Sequence, residues 1–378
     1  MPPKTTAHPL FDAHLDLAYL AVYGRDMTAP LDPAMTPEPP AAVTLPSLAE
    51  GRVRMALGTI FTAPDEDSPV GYPAGDAETA QRRGLAQLEA YRTWQDRKLV
   101  KLDLRRWLPG DPGVGQVRGG MGVAELVNDP IPTRLAAQRN DAPLHVGILI
   151  ENADIIREPA KLSWWVEQGV VAVGMAWWAS SRYASGNGAD PHDDEGITHL
   201  GEQLVAEMDQ HLVVHDQSHL SDAATRRLFD LAQGPIMASH SNCRALTGSG
   251  NAREDQRHLT DETIRVIVDR GGVIGLNLCH NFIREGGHSK QRITIDHALD
   301  HVDHICSIAG NTNHVGIGSD LDGGFSADHI PDGIDTPRDM HRLCEGLSAR
   351  GWTDEQVAAF AWGNWTRFLS AAFRRKTQ

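Results

Sequence analysis

Only four cysteines, Cys243, Cys279, Cys306 and Cys344, occur in 378 residues, with no CxxC pair and no disulfide-like spacing. They read as free thiols in a reducing compartment. The opening stretch MPPKTTAHPLFDAH has no charged segment leading into a long apolar one, so no secretory signal is expected. No apolar run approaches the ~18 residues of a membrane span. There is also no block of lysines and arginines. With a formal charge of −15, nucleic acid and anionic membranes are poor candidates for the main partner. Internal repeats and low-complexity tracts are missing too. The expectation is a cytoplasmic globular protein, and at 41% hydrophobic residues it can bury a large core.

What is there is a recurring pattern. Short apolar runs fall at 10–16, 52–61, 145–152, 170–177, 211–219, 235–241, 272–279 and 314–320. Most are almost continuously apolar, as strands buried on both faces of a parallel sheet must be. Helical patterns lie between them, such as AETAQRRGLAQLEAYRTWQDRK, LGEQLVAEMDQ, SDAATRRLFDLAQ and TDETIRVIVDRGG. The last two open on Ser or Thr caps and close near glycine. Eight strands alternating with helices predict a (β/α)8 TIM barrel spanning 1–378 as a single domain. An open doubly wound sheet is disfavoured because no GxGxxG opens the first strand–helix turn. The interval of about 62–144 is too long for one crossover, and its run LPGDPGVGQVRGGMG points to an elaboration on the barrel.

Barrel enzymes carry their chemistry at the C-terminal ends of the strands. Here the first run ends on His14 and Asp16, the third on Glu151, the fifth on His219, the sixth on His240 and the eighth on Asp320. His14 and Asp16, two apart in a strand, face the same way. Buried side by side they must satisfy each other or hold an ion. Any one of these residues alone is more simply structural. Imidazole and carboxylate at five of eight strand ends is the donor set of zinc and its neighbours, and predicts a metal centre.

Read in order, the segments FDAHLDL, ILIENADII, QSHLSD, IMASHSNCRAL, RHLTDE and VGIGSDLDGGF resemble the membrane (renal) dipeptidase family of the amidohydrolase superfamily. EGITHLGEQLVAEM and GNWTRFL do so as well, and the likeness runs from about residue 9 to 370. The resemblance implies a zinc-dependent dipeptidase using two divalent ions, with His14 and Asp16 on one, His219 and His240 on the other, and Glu151 between them. It also implies that Asp320 handles the proton and that Arg257 holds the substrate carboxylate, for which a planar guanidinium suits short substrates. Two close ions sharing a water would lower its pKa and supply a metal-activated hydroxide.

The chain departs from this family at the end of the fourth run. Where the family has a histidine that contacts the substrate carbonyl, GMAWWASSRYASG places Trp177. Trp offers one N–H but neither acid nor charge, and losing one such donor typically costs about 10²–10³ in rate. Arg182 and Tyr183 are the nearby candidates to substitute, or Trp177 and Trp178 are aromatic walls that narrow the pocket. The alternative is therefore an amidohydrolase acting on another small amide, such as an N-acyl or D-amino acid derivative. A catalytically inactive binding barrel has no chemical need to keep the ligand set. Of the other histidines, His215 and His280 are expected to be structural, with reach to the mouth the lesser alternative for His280 just past the seventh run, and His301 and His304 are expected to form a polar helix face. Asp322 is the better turn residue of SDLDGG. The resemblance and the Trp-rich surface are also compatible with a homodimer.

Overall fold

The run LHVGILIE, Leu144–Glu151, is buried along its whole length, and so are eight of the nine residues of Val53–Phe61. Only a sheet covered on both faces accommodates such strands. The computed structural model describes residues 8–108, 142–248, 250–284 and 292–374. Its strands are β1 (Leu10–Leu15), β2 (Val53–Phe61), β3 (Val100–Lys101), β4 (Leu144–Glu151), β5 (Val170–Gly174), β6 (Val214–Asp216), β7 (Ile236–Met237), β8 (Ile274–Leu276) and β9 (Val315–Ile317). Apart from β3, each pairs in parallel with its neighbours in the order β7-β6-β5-β4-β2-β1-β9-β8. The ring closes where Ala238, just past β7, bridges to Ile274 of β8. This is the eight-stranded barrel that the sequence predicts.

Helices cover the outside for reasons visible in their residues. Asp76 caps Ala77–Asp96 by accepting from the Glu78 and Thr79 N–H groups. Its buried stripe of Ala80, Gly84, Leu88, Tyr91 and Trp94 has helical spacing and faces the strands. Ser221 and Thr260 cap Asp222–Leu231 and Asp261–Asp269 in the same manner. Inside the ring, Phe11, Met55, Leu57, Leu149, Val214 and Met237 from successive strands form one apolar cluster. The C-terminal helix Asn364–Ala372 joins it through Trp365, whose indole N–H donates to Ile317 O at 2.9 Å.

Two expectations need correction. Regular strand structure stops short of the chemical residues: β6, β7 and β9 end three residues before His219, His240 and Asp320. Those side chains are carried by the loops that follow. His301 is not on a polar face but fully buried. Its Nε2 bonds Ile283 O at 2.8 Å, and its Nδ1 accepts from the Cys243 N–H at 3.1 Å. Between β2 and β4 the added elements include β3, which pairs with β4, and the short helix Leu104–Trp107. The Gly/Pro-rich run expected there lies, beyond Leu108, outside the described residues. All four cysteines are free thiols. Among the described residues no helix is long and apolar enough to cross a membrane.

Candidate metal centre

Strand register brings the predicted residues to one end of the barrel. β1 delivers His14, with Asp16 opening the next helix, and the β2–β4 ladder sets Glu151 opposite Phe61. His219 and Asp320 take left-handed backbone, at φ +67° and +61°. Such conformations are uncommon for non-glycine residues and collect at functional sites. They turn both side chains inward from loops that would otherwise run on.

Glu151 sits at the middle. One carboxylate oxygen, Oε2, lies 3.4 Å from His14 Nε2, while Oε1 lies 3.3 Å from His219 Nε2 and 3.6 Å from His240 Nε2. His14 Nε2 is also 3.9 Å from a carboxylate oxygen of Asp16 and 3.9 Å from one of Asp320. Three overlapping donor groups result: His14, Asp16 and Glu151; Glu151, His219 and His240; and His14, His240 and Asp320. All these residues are buried.

Electrostatics show what the cluster needs. Burial raises the Asp16 and Asp320 carboxyls above the usual range, with His14 opposing the shift and neighbouring carboxylates adding to it. Burial opposes charge on His14 as well, but Glu151, Asp16 and Asp320 outweigh it and lift that ring to about 10. His219 and His240 stay well below their ordinary value, through burial first and then the positive neighbours Arg257 and His14. His219 Nε2 and His240 Nε2 face each other at 2.9 Å. Converging carboxylates and neutral imidazole nitrogens form a site short of positive charge, and divalent cations fit that donor set.

Four of the five expected ligands, and Asp320, are held from behind, and none of these supports was anticipated from sequence. Thr59 donates to Asp16 Oδ1. His219 Nδ1 bonds Asn187 Oδ1 at 2.9 Å, and Asn277 donates to Asp320 Oδ2 at 2.9 Å. Ser239 Oγ reaches the Nδ1 atoms of both His14 and His240. The only sequence signal for these supports is the polar alternation in HDQSH and SHS. Support of this kind fixes ring orientation and ligand basicity.

Arg257 is brought to the same mouth. It is buried, donates to His240 O at 2.8 Å and Ser241 Oγ at 3.2 Å, and packs over Phe282. Its Nε–H is buried and has no partner among the described residues. Trp177 is half-buried, its ring 6.1 Å from that of His219 and edge-on to Phe61 at 5.0 Å. Tyr19 extends this aromatic wall from Phe61 at 6.0 Å.

Tyr183 and Arg182, the candidates to replace the missing histidine, are committed elsewhere. Tyr183 is fully buried and its hydroxyl donates to Ile156 O. Arg182 donates to Ile156 O and Arg157 O and pairs with Asp154 at 3.3 Å. His215 pairs with Asp209 at 2.9 Å, as a structural residue would. His280 is buried, its ring 5.0 Å from that of the exposed His329.

The sequence profile of the membrane dipeptidase family (peptidase family M19) matches residues 127–378. The uncharacterized protein in the pqqA 5′ region of Klebsiella pneumoniae is 31% identical over 211 residues, which is 55% of this chain and 74% of that protein. An uncharacterized dipeptidase of Schizosaccharomyces pombe is 32% identical over 168 residues, 43% of this chain and 37% of its own length. The crystal structure of dipeptidase AC, a metallopeptidase of family M19, superposes with a TM-score of 0.75 at 25% identity, covering 98% of this chain and 100% of that one. A metallopeptidase from Rhodobacter sphaeroides, solved with a phosphinate mimic of the dipeptide L-Ala-D-Ala, gives 0.73 at 25% identity over 96% and 99%. This chain belongs to the membrane dipeptidase family, peptidase family M19, and is a metal-dependent hydrolase.

Proposed function

We propose that the protein is a zinc-dependent dipeptidase. The observation that carries this reading is Glu151, whose two carboxylate oxygens face different histidine groups in a pocket that also holds a buried arginine. In this reading His14, Asp16 and Glu151 hold one divalent ion, and Glu151, His219 and His240 hold the other. When bound, such ions act as Lewis acids on the scissile carbonyl and make water acidic enough to attack near neutral pH.

The chain's own residues do the rest. Arg257 receives the C-terminal carboxylate of the dipeptide on its unpartnered Nε–H and remaining N–H groups. That anchor limits the substrate to a short chain ending near the metals. Asp320, beside His14 and fixed by Asn277, takes the proton released by the attacking water and passes it to the leaving amine. Phe61 and Trp177 wall the His219 side and keep bulk water out. The Rhodobacter sphaeroides neighbour was solved with an L-Ala-D-Ala mimic, so L-D dipeptides belong in the substrate panel.

The test is to load the protein with zinc and measure free amino acid release from a panel of L-L and L-D dipeptides, with Asp320→Asn as control. Release that needs both zinc and Asp320 is expected. No release from any dipeptide, by protein shown to hold two metal ions, refutes the reading. Trp177 beside His219 favours a second reading, hydrolysis of another small amide such as an N-acyl or D-amino acid derivative, and the same assay with those amides addresses it.

A further inference from the structure

The two histidine groups share a support that neither ligand spacing nor strand order reveals. Asp216, the last residue of β6, is buried and accepts three hydrogen bonds. Its Oδ1 takes the Ser239 N–H at 2.9 Å and the Ser218 N–H at 3.1 Å, and its Oδ2 takes the Ser239 hydroxyl at 2.6 Å. A carboxylate only accepts, so the single hydrogen of Ser239 Oγ points at Asp216. The two lone pairs of that oxygen are left over. Facing them are His240 Nδ1 at 2.8 Å and His14 Nδ1 at 3.2 Å. Ser218 Oγ at 3.4 Å is too distant to compete.

The inventory closes in one way. With its hydrogen committed to Asp216, Ser239 accepts from both imidazoles, so each carries a hydrogen on Nδ1 and leaves Nε2 as the atom that faces Glu151. The same contacts bring the two rings into a stack, with centroids 3.6 Å apart. Ser239 itself cannot drift. Its carbonyl oxygen lies where a Cβ on Gly275 or Gly318 would come within 1.8 Å, so only glycine at both positions admits the Ser239 peptide. The barrel seam therefore sets the position of the hydroxyl.

We infer that Asp216 and Ser239 form one positioning device serving both metal sites, which orients a histidine of each through a single hydroxyl. In the binuclear reading His14 serves the ion held with Asp16 and Glu151, and His240 the one held with Glu151 and His219, so removing the hydroxyl weakens both sites together. Losing a ligand that belongs to one ion alone, such as Asp16 or His219, would strike chiefly at that ion. This inference rests on the binuclear reading proposed above.

The experiment is calorimetric titration of zinc into metal-free wild-type protein, Ser239→Ala and Asp216→Asn, with a competing chelator for tight steps. The unfolding temperature of each metal-free protein is measured alongside. For Ser239→Ala both stepwise affinities are expected to fall about 10–100-fold, with the metal-free unfolding temperature little changed. Asp216→Asn keeps the shape and one acceptor oxygen and is expected to lose less at both steps. Unchanged affinities, or a loss confined to one of the two ions, overturn the shared device. Wild-type protein that takes up no divalent ion overturns the metal centre itself, and the inference falls with it.

Discussion

Replacing Arg257 with methionine removes a buried guanidinium while keeping an apolar chain of similar length. Among the described residues, two of its five N–H groups are used, one on His240 O and one on Ser241 Oγ, while the Nε–H has no partner. Those acceptors are neutral, so their loss affects every substrate alike. The unspent donors matter only for a substrate that ends in a carboxylate. Truncating one partner of a buried, hydrogen-bonded charge pair costs about 2–5 kcal/mol, and 1.4 kcal/mol is about tenfold. Wild-type protein should therefore prefer a dipeptide over the same dipeptide with an amidated C-terminus by about 30- to 4,000-fold in kcat/KM. Arg257→Met should bring that ratio close to one, mainly by lowering the rate on the free acid. The assay is kcat/KM for the two substrates on both proteins. A ratio, unlike a rate, cancels any general loss of active protein. If the preference survives in Arg257→Met, the carboxylate is bound elsewhere and the role given to Arg257 is wrong.

Two further outcomes follow from particular contacts. Trp177→His places an imidazole where the sequence resemblance leads one to expect it, and turnover of the best dipeptide should rise, by up to the roughly 10²–10³ that one such donor is worth; an unchanged or lower kcat would show that the pocket has been rebuilt around tryptophan. His301 gives a pH prediction: burial holds its ring down to about 4 against an ordinary 6.5. A depressed histidine pKa means the unfolded chain binds the proton first as pH falls, so stability present above about 6.5 is lost on the way down to about 4. At about 1.4 kcal/mol per unit the loss reaches about 2 kcal/mol by pH 5. His301→Gln can keep a donor toward Ile283 O and an acceptor for the Cys243 N–H but does not titrate. Urea unfolding at pH 7 and pH 5, with chelator present for both proteins, should show a steeper loss in wild type by that amount, and equal losses would refute the assignment.

The barrel was legible because its strands obey a rule that sequence displays directly. A strand buried on both faces must be apolar throughout, and HVGILIEN or HVGIGSD could be nothing else. The convergence of His14, Glu151, His219, His240 and Asp320 was legible for a second reason, since a barrel puts all its strand ends on one rim whatever their separation along the chain. The supports behind them were not. Asn187 reaches His219, and Asn277 reaches Asp320, at loop positions where His219 and Asp320 adopt left-handed backbone, which no periodicity announces. Tyr183 misled for a related cause. It lies six residues from Trp177 in sequence, but the loop after β5 folds back so that Ala184 bridges to Ile197, and Tyr183 is buried beneath it. His301 shows the limit of helical patterning: its neighbours Asp300 and His304 are polar, yet its own ring fills a buried gap between Cys243 and Ile283.

The left-handed residue at 320 also decides how its chemistry should be tested. Its conformation is held by its N–H on His14 O at 3.2 Å and by its carbonyl, which accepts from the Gly323 N–H at 3.0 Å. Alanine would carry the full backbone penalty of a left-handed position, of order 1–3 kcal/mol. It would also leave the Asn277 amide without its acceptor, so lost activity would mix distortion with lost chemistry. Asparagine tolerates left-handed backbone better than most residues, keeps an oxygen for Asn277, and removes only the ability to take a proton. Asp320→Asn should therefore bind zinc and unfold much as wild type does, while turnover falls by about 10²–10⁴, the usual contribution of a positioned proton carrier. Wild-type turnover in a well-folded, metal-loaded Asp320→Asn protein would mean that another group, or solvent itself, carries the proton.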